Sequence, residues 1–488
     1  MSSELEAVIG LEIHVQLSTR TKMFCGCELS FGDEPNVHTC PVCLAHPGVL
    51  PVPNEEAIRY ALKIGMALEC EIAPRSIFHR KNYFYPDNPK AYQISQYDIP
   101  LAVDGRLGDI RIHRAHLEED AAKMIHVGDS GRIHGSGASL VDFNRGGTPL
   151  VEVVTEPDLR SAAEAAEWAR LLRETVRQLD VSDVNMEEGS LRVDANVSVR
   201  PSGSEELGTK TELKNMNSFR FLERGVEAEL QRQRELIEAG GTVEQETLHF
   251  DPSDGTLTSL RSKEEAHDYR YFPEPDLVPL APTEEMLREA RESLPELPAA
   301  RIERYEEQMG LEAEPAKFLA SDPGLGGYFE EACRVAGAEV GPGGGGVEPR
   351  VVANWITGDL TATLRQRGDE EDFADPTVSA EDLAALVLMV TEKKISHGSG
   401  KAVLAALVVE GGDPAAIVER EGLAQISDAG ELESIVAAAV EANPEAAEQI
   451  KAGNQKAIGA IVGAVMKETK GRADGGEVNR LILEQLGD

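Results

Sequence analysis

Basic residues are scarce in this chain of 488 residues: 48 lysines and arginines stand against 86 aspartates and glutamates, so the net charge is −38. Two interpretations of this charge remain open. The protein avoids nucleic acid, or it is adapted to a salt-rich cytoplasm, where 1 M salt shortens the Debye length to about 3 Å. We favour the second and expect a halophilic host. The apolar content of 41% excludes disorder as the reason for the charge.

Long hydrophobic runs are also absent. No stretch of about 18 apolar residues occurs, which excludes a transmembrane helix. A strand pattern begins at about Val8 and leaves no room for a signal or transit peptide. We therefore expect a soluble, cytoplasmic protein, and the length predicts about three domains at roughly 100 to 200 residues each.

Cysteine is rare, with six residues in all, but four of them are clustered: Cys25-Gly-Cys27 is followed by Cys40-Pro-Val-Cys43. Two close pairs joined by a short loop can place four thiolates around one zinc ion, and disulfides are rare in the cytosol. A full set of four thiolates leaves no open position, so the pattern predicts a structural zinc site. The alternative is four unconnected thiols.

The fold class follows from the distribution of periodic patterns. Before about residue 295, alternating strands lie among clear helices, including 161–179 and 219–239, which predicts an α+β domain with a mixed or antiparallel sheet. The Pro-rich stretch 271–282 precedes the boundary. After it the strand alternation fades, and beyond about 405 only short helices are predicted.

Polar side chains recur on strand faces. In "GLEIHVQL" (10–17), Glu12, His14 and Gln16 share one face and the apolar residues share the other. The strand 191–200 has Arg192, Asp194, Asn196 and Ser198 on one face in the same way.

Further charged residues continue this pattern. A predicted strand 208–215 aligns Lys210, Glu212 and Lys214, "PLVEVV" (149–154) places Glu152 in an apolar run, and "HLEEDAAK" contains Glu118 and Glu119. Carboxylates suit magnesium, and lysines beside them hold phosphate. Each row alone is more typical of a solvated sheet face. Together they favour a polar cleft for a phosphorylated substrate.

Aromatic residues are few, but five of the 21 phenylalanines and tyrosines fall within residues 80–98. Lysines and an arginine are interleaved with them. The stretch could stack nucleic-acid bases, or it could be a loop whose aromatic rings fill the core. The sequence does not decide between these two interpretations.

Eight segments together resemble one family, the B subunits of the aspartyl/glutamyl-tRNA amidotransferases (GatB). These segments are "GLEIHVQL", "CPVCLAHPGVLPVPN", "RKNYFYPDNPKAYQISQYD", "HLEEDAAK", "SLVDFNRGGTPLVEVVTEPD", "GSLRVDANVSVR", "GTKTELKNMNSF" and "DYRYFPEPDLVP". The resemblance implies a cradle domain with a kinase-like site (1–295), a helical domain (296–408) and a YqeY-like, tRNA-binding tail domain (409–488).

The resemblance also implies an activity. It is that of an ATP-dependent carbon–nitrogen ligase (EC 6.3.5.-), which phosphorylates the side-chain carboxylate of Asp-tRNA(Asn) or Glu-tRNA(Gln) and then adds ammonia derived from glutamine. The chain has no amidase signature of its own, so a GatA-like glutaminase and a GatC-like subunit are the implied partners in a heterotrimer. Together with the charge, the resemblance suggests a halophilic archaeon.

Site residues are carried over from the resemblance position by position. It implies catalytic roles for Glu12, His14, Glu118, Glu119, Glu152, Lys210 and Glu212. It implies cofactor binding by Lys81, Lys90, Asp194 and Asn196. It also implies that Lys81, Lys90, Asp194, Lys210 and Glu212 lie in the walls of the site and the ammonia passage. It implies magnesium ligation by Glu12, His14, Glu119 and Glu152, with Glu118 as a less certain member, and zinc ligation by Cys25, Cys27, Cys40 and Cys43.

One region of the tail departs from the overall charge. Residues 451–480 contain six basic and three acidic residues, a local balance of +3. On a predicted helix 454–470, Lys456, Lys467 and Lys470 lie opposite an apolar stripe, which suits contact with tRNA phosphates. An ordinary solvated face is the alternative. Two other functions also remain: a GatE-type subunit, disfavoured because that family carries a large insert, and a non-enzymatic zinc-containing tRNA-binding module.

Overall fold

The computed structural model describes residues 5–127, 136–252, 254–262, 268–338, 347–367, 376–425, 429–451, 454–469 and 472–486. The chain divides into two compact units, Met1–Ala299 and Ala300–Asp488. The glycine-rich loop 341–346 lies outside the described residues.

The first unit contains the strands of the described chain. They are β1 (Leu5–Gln16), β2 (Glu71–Ile72), β3 (Phe78–Asn82), β4 (Tyr92–Gln96), β5 (Ala102–Leu107), β6 (Ile110–Glu119), β7 (Lys123–Val127), β8 (Ala138–Asp142), β9 (Pro149–Thr155), β10 (Leu191–Pro201), β11 (Thr211–Met216), β12 (Glu246–Phe250), β13 (Leu257–Ser262) and β14 (Phe272–Pro273).

Nine of these strands form one sheet in the order β13-β12-β11-β10-β1-β9-β6-β5-β2, while β14-β3-β4 and β7-β8 form two smaller sheets. The large sheet is mixed, since β11 and β12 pair in parallel whereas β1 pairs antiparallel with both of its neighbours. Strand β1 is therefore central, and its polar face lies between those of β9 and β10.

Helices of the first unit are α1 (Glu55–Ala67), α2 (Ala162–Gln178), α3 (Phe219–Glu238) and α4 (Glu284–Glu292). The predictions for α2 and α3 are confirmed. Ser161 and Ser218 cap them by accepting from the backbone N–H groups of Glu164 and Phe221. Both helices belong to the packed body of the unit, where α3 lies against α2 and β10.

Burial explains why β1 keeps its polar row on one side. Ile9, Leu11, Ile13 and Val15 are at most 1% exposed and join the main hydrophobic core of this unit. Because side chains alternate along a strand, this anchoring turns Glu12, His14 and Gln16 to the other face.

The second unit is helical in its described residues. Its helices are α5 (Pro298–Glu307, which begins at the end of the first unit), α6 (Ala313–Ala320), α7 (Pro323–Val335), α8 (Pro349–Asn354), a π-helix (Trp355–Leu360), α9 (Thr361–Arg367), α10 (Ala380–Thr391), α11 (His397–Glu410), α12 (Pro414–Glu421), α13 (Ala429–Ala442), α14 (Pro444–Lys451), a 3₁₀ turn (Gln455–Ala457), α15 (Ile458–Glu468) and α16 (Gly475–Leu486).

The predicted α+β class is confirmed. Two hydrophobic clusters occur in the second unit, one between Tyr305 and Ile417 and one between Leu432 and Ile482. The division of this unit into domains 296–408 and 409–488 stays a prediction. Among the described residues, no helix is long and apolar enough to cross a membrane.

The predicted tail helix is shorter than expected, because it begins as α15 at Ile458 after the 3₁₀ turn. Its buried side carries Ile461 and Val465, while Lys456 and Lys467 are exposed. Lys470 lies outside the described residues. The apolar stripe is confirmed, and the role of the basic face stays a prediction.

Candidate active site

Four neighbouring strands align their polar side chains in one row across the large sheet. His14 on β1 lies opposite Glu152 on β9 and opposite Arg192 on β10. Glu152 in turn lies opposite His116 on β6. The register thus brings together residues that are far apart in the sequence.

The centre of the row is a cluster of one imidazole and two carboxylates, which we call the His14 cluster (His14, Glu118 and Glu152). His14 Nε2 lies 3.7 Å from Glu118 Oε1 and 3.5 Å from Glu152 Oε2. Burial of His14 works against its charged form, but the hydrogen bond and charge of Glu152, with the charge of Glu118, raise its pKa to about 9. An imidazolium therefore offsets two buried carboxylates.

Both carboxylates of the cluster are ionised. Burial raises the pKa of each carboxyl group, but nearby cationic groups outweigh this effect. They are His116 and Lys81 for Glu118, and His116 and His14 for Glu152. The pKa of each carboxyl group consequently lies below its ordinary value. Ser95 also donates from Oγ to Glu118 Oε2 at 3.1 Å.

The cluster has a geometry that fits a divalent cation. One ligand atom from each of its three residues lies within 4.8 Å of the others. Carboxylates are ligands that magnesium and manganese prefer, whereas an imidazole is a ligand more typical of zinc, copper, iron and nickel. The residues can therefore hold a metal ion with several coordination positions left for phosphate oxygens.

His116 was not among the residues selected from the sequence. It is 2% exposed, and its Nε2 lies 3.4 Å from Glu152 Oε2 and 3.8 Å from Glu118 Oε2. Its Nδ1 is buried and has no hydrogen-bond partner among the residues that the structure describes. The signal was present in "HLEED", because His116 and Glu118 share one strand face whereas Ala115 and Leu117 share the core face.

Lys81 on β3 is close enough to the cluster for their charges to interact. Burial lowers the pKa of its ammonium group, but Glu118 and Glu152 attract the charge and the pKa is raised overall. Lys81 Nζ also lies 4.9 Å from the centroid of the Tyr269 ring. A permanent cation thus faces the same space as the two carboxylates.

Glu12 lies on the predicted face but does not join the His14 cluster. Its Oε1 accepts from Asn196 Nδ2 at 2.8 Å, and its strand position is opposite Asp194. The sequence-derived magnesium set is therefore divided. His14 and Glu152 are adjacent, while Glu12 lies further along β1.

A second charged group extends the polar face onto β11. Lys214 Nζ lies 3.1 Å from Asp194 Oδ2 and 2.8 Å from Glu212 Oε1. Burial lowers the pKa of Lys214, but these two carboxylates outweigh it and raise the pKa. The strand pattern aligned Lys214 with Glu212, but the resemblance assigned roles only to Asp194 and Glu212 and not to Lys214, the cation that joins them.

Glu119 and Lys210 lie elsewhere. Adjacent strand residues point to opposite faces, and Glu119 accepts from Ile94 N at 2.9 Å and forms an ion pair with Lys90. Glu118, not Glu119, completes the His14 cluster. Lys210 precedes β11 and is exposed, since that strand begins at Thr211 and not at the predicted residue 208.

A partly buried ion pair lies at the β10 end of the row. Arg192 donates through Nη1 and Nη2 to the two oxygens of Asp120, at 2.9 and 3.1 Å. Gln16 Nε2 donates to Asp120 Oδ2 at 2.7 Å. Burial raises the pKa of Asp120, but the charges of Arg192 and Arg145 lower it by more than burial raises it. The carboxylate is therefore ionised. Gln16 and Arg192 are thereby held in fixed positions.

The four predicted zinc ligands form a compact group. Cys43 Sγ lies 4.0 Å from Cys27 Sγ and 3.9 Å from Cys40 Sγ, and all four sulfurs lie within 4.8 Å of one another. A tetrahedral zinc ion with Zn–S bonds of about 2.3 Å requires sulfurs about 3.8 Å apart. The hydrogen bond from Cys25, with the charge of Lys22, lowers the pKa of Cys43 to about 4. The residues fit structural zinc.

Comparison with known proteins identifies similar chains over nearly the whole length. A family model described as the GatB/GatE catalytic domain matches residues 7–288, and one described as a GatB domain matches residues 343–486. The B subunit of the aspartyl/glutamyl-tRNA(Asn/Gln) amidotransferase of Brevibacillus brevis is 48% identical, with 99% of each chain covered.

Other relatives bear the same name. The B subunit from Moorella thermoacetica is 49% identical over 99% of this chain and 100% of the relative, and that from Persephonella marina is 47% identical over the same shares. These organisms are bacteria. The archaeal, halophilic origin suggested by the charge therefore has no support from these relatives and stays a prediction.

Proposed function

The chain belongs to the GatB/GatE family, and from this we propose that it acts as the B subunit of a tRNA-dependent amidotransferase, converting Asp-tRNA(Asn) or Glu-tRNA(Gln) into Asn-tRNA(Asn) or Gln-tRNA(Gln). The single observation that supports a catalytic role for this chain is the His14 cluster, which faces Lys81 on the polar side of the large sheet.

The proposed reaction has two steps. A side-chain carboxylate oxygen of the aminoacyl-tRNA attacks the γ-phosphorus of ATP, and the bond from that phosphorus to the ADP oxygen breaks. Ammonia then attacks the acyl carbon of the resulting acyl phosphate, the carbon–oxygen bond to phosphate breaks, and the nitrogen loses a proton. The products are the amide, ADP and phosphate, so the carboxylate oxygen leaves with phosphate.

His14, Glu118 and Glu152 are the residues that would hold a magnesium ion in this scheme. A bound magnesium ion offsets charge on the transferring phosphoryl group. We propose a set that differs from the sequence-derived Glu12, His14, Glu119 and Glu152: Glu118 would take the place of Glu119, and Glu12 would act beside the metal through Asn196.

A cation close to the His14 cluster would bind phosphate. Lys81 is the first candidate, and its ammonium group would contact the phosphates of ATP as a point charge. Asp194 and Glu212, joined by Lys214, form an anionic wall that suits the α-ammonium group of the aminoacyl ester. Catalytic roles for Lys210 and Glu212 and ATP contacts by Asp194 and Asn196 stay proposals from the resemblance.

Lys90 and Glu119 lie on the other side of β6, in the lining of a cavity of about 270 Å³ beside Cys25 and Cys43. This placement suits the passage of ammonia better than direct contact with ATP. The four cysteines would hold structural zinc next to it. We propose that a GatA-like subunit supplies ammonia from glutamine and that a GatC-like subunit completes a heterotrimer.

The resemblance to GatE carries less weight than that to GatB. The amidotransferase B subunits that this chain matches are covered over 99% or more of their own length, which leaves no room for a large insert. A non-enzymatic, zinc-containing tRNA-binding module would not need two buried carboxylates beside an imidazole on the polar face of the sheet.

The test uses the complex of this chain with its co-expressed partner subunits, in about 1 M KCl to screen surface charge. We expect amidation of Asp-tRNA(Asn) or Glu-tRNA(Gln) that depends on glutamine and ATP. Glu152→Gln should abolish amidation and spare tRNA binding. The matched control is Glu156→Gln, on the exposed pair with His113, which should retain activity. Equal activity of both variants would refute the proposed site.

A further inference from the structure

A stacked pair of tyrosines lies beside the candidate active site, and we propose that it is the stacking surface for an adenine base. The pair consists of Tyr97, at the end of the aromatic stretch 80–98, and Tyr271 from the segment before β14. This inference rests on the proposed function, because it assigns part of the substrate to a defined surface.

The geometry of the pair leaves one aromatic face available. The ring centroids of Tyr97 and Tyr271 are 4.2 Å apart, and the ring planes differ by only 6°. Tyr271 therefore covers one face of Tyr97. Tyr97 is nevertheless 49% exposed, as expected for a ring whose other face is open to solvent.

The open ring is held in place before any ligand arrives. The rings of His79 and Tyr97 form a T-shaped contact, with a centroid distance of 6.3 Å and planes at 77°. His79 is itself buried, and its Nε2 lies 3.0 Å from Asp98 Oδ1. A ring fixed in this way loses little conformational freedom on binding, which favours affinity.

The pair is connected to the candidate active site by a chain of aromatic contacts. Tyr271 lies 6.0 Å from Tyr269 between ring centroids, and Lys81 Nζ lies 4.9 Å from the Tyr269 ring. Burial raises the pKa of Tyr271. The charge of Lys81 lowers this pKa, whereas the charges of Glu118 and Glu152 raise it, so Tyr271 lies close enough to the candidate active site to interact with its charges. The open ring and Lys81 thus belong to one continuous group of neighbouring side chains.

Folding alone does not account for the exposed ring. Stacking on Tyr271 uses one face of the Tyr97 ring, yet about half of the side chain stays in water. Bases stack on aromatic side chains without strict sequence preference, and removing one such side chain weakens binding by about 5- to 150-fold per base. The neighbouring lysine adds an attraction for phosphate.

Adenine reaches this site from two possible sources in the proposed reaction. One is ATP, and the other is the 3′-terminal adenosine of the tRNA, to which the amino acid is esterified. Both place a purine one nucleotide away from the reacting carboxylate or phosphate, so the experiment must separate them.

The experiment measures equilibrium binding to the complete complex with its partner subunits. Three ligands are compared: ATP, full-length tRNA, and the same tRNA without its terminal adenosine. The variants are Tyr97→Ala, which removes the ring, and Tyr97→Phe, which keeps it. Phe84→Ala is the matched control, because Phe84 lies in the same stretch and is 83% exposed.

We expect Tyr97→Ala to lose at least fivefold in affinity for one ligand, while Tyr97→Phe and Phe84→Ala stay within twofold of the wild type. Weaker binding of ATP alone assigns the ring to the nucleotide. If Tyr97→Ala binds full-length tRNA only as tightly as tRNA without the terminal adenosine, the ring is assigned to the 3′ end of the tRNA.

Unchanged binding of both ligands by Tyr97→Ala would overturn the inference, and so would an equal loss in Tyr97→Phe. The proposed function fails separately, if the wild-type complex binds no ATP. The tRNA comparison would still decide the stacking role in that case.

Discussion

His14 gives the candidate metal site a pH dependence that can be calculated. Its pKa of about 9 in the metal-free protein means that the imidazole is protonated at neutral pH. A metal ion binds only the neutral imidazole, so it must displace this proton. Glu118 and Glu152 add no such requirement, because their pKa values lie below the ordinary range.

The magnitude follows from the two units between pH 7 and a pKa of about 9. Each unit costs about 1.4 kcal/mol, so binding at pH 7 should be about 100-fold weaker than its limit at high pH. The apparent Kd should fall tenfold for each unit between pH 6.5 and 8.5 and level off above pH 9. Protonated His14 also stabilises the metal-free fold, and this stabilisation changes with pH in the opposite sense to metal affinity. It is present at low pH and is lost as the pH rises through about 9.

The assay is titration with Mn²⁺, followed by its electron paramagnetic resonance signal, at six pH values between 6 and 9.5. His14→Gln should bind more weakly at high pH and show a nearly flat pH profile. A flat profile in the wild type would refute the reasoning, because it would mean that the metal does not contact His14 or that His14 is already neutral.

Three further predictions concern residues around the site. His116→Leu should weaken Mn²⁺ binding by about 10- to 100-fold, since it removes the imidazole whose Nε2 lies 3.4 Å from Glu152 and 3.8 Å from Glu118. His116→Gln should retain most of the affinity, and equal losses in both variants would indicate a purely structural role. Asp120→Asn should lower the free energy of unfolding by about 3 kcal/mol in urea titrations, because it leaves Arg192 without its buried partner; an unchanged midpoint would contradict this. Cys43→Ser should reduce bound zinc, measured by mass spectrometry of the native protein, and lower the Tm; full zinc occupancy would exclude this cysteine as a ligand.

Strand periodicity was the most informative signal in the sequence. It predicted the polar faces of β1 and β10, because a buried apolar row on one side fixes the direction of every side chain on the other. The same rule applied to "HLEED" would have selected His116 and Glu118 rather than Glu119, since Leu117 must point to the core. The close cysteine spacing likewise predicted a group that the structure brings together.

Other parts of the site depend on contacts that local sequence does not carry. Tyr97 and Tyr271 are 174 positions apart in the chain, and only the folding of the segment before β14 onto β3 brings them together. Lys210 was misplaced because strand ends are set by pairing partners, and the pairing of β11 with β10 begins at Thr211. Contacts between distant segments, not local strand propensity, determine both the Tyr97–Tyr271 contact and the start of β11.

The central claim is that the complex activates a carboxylate by phosphorylation before ammonia attacks. The most direct measurement uses aminoacyl-tRNA whose side-chain carboxylate is labelled with ¹⁸O, and mass spectrometry of the inorganic phosphate released during amidation. Carboxylate phosphorylation predicts one ¹⁸O atom in phosphate for each amide formed, and none with Glu152→Gln, which should form no amide. Amide formation by the wild type with unlabelled phosphate would contradict this mechanism, because no acyl phosphate would then have formed.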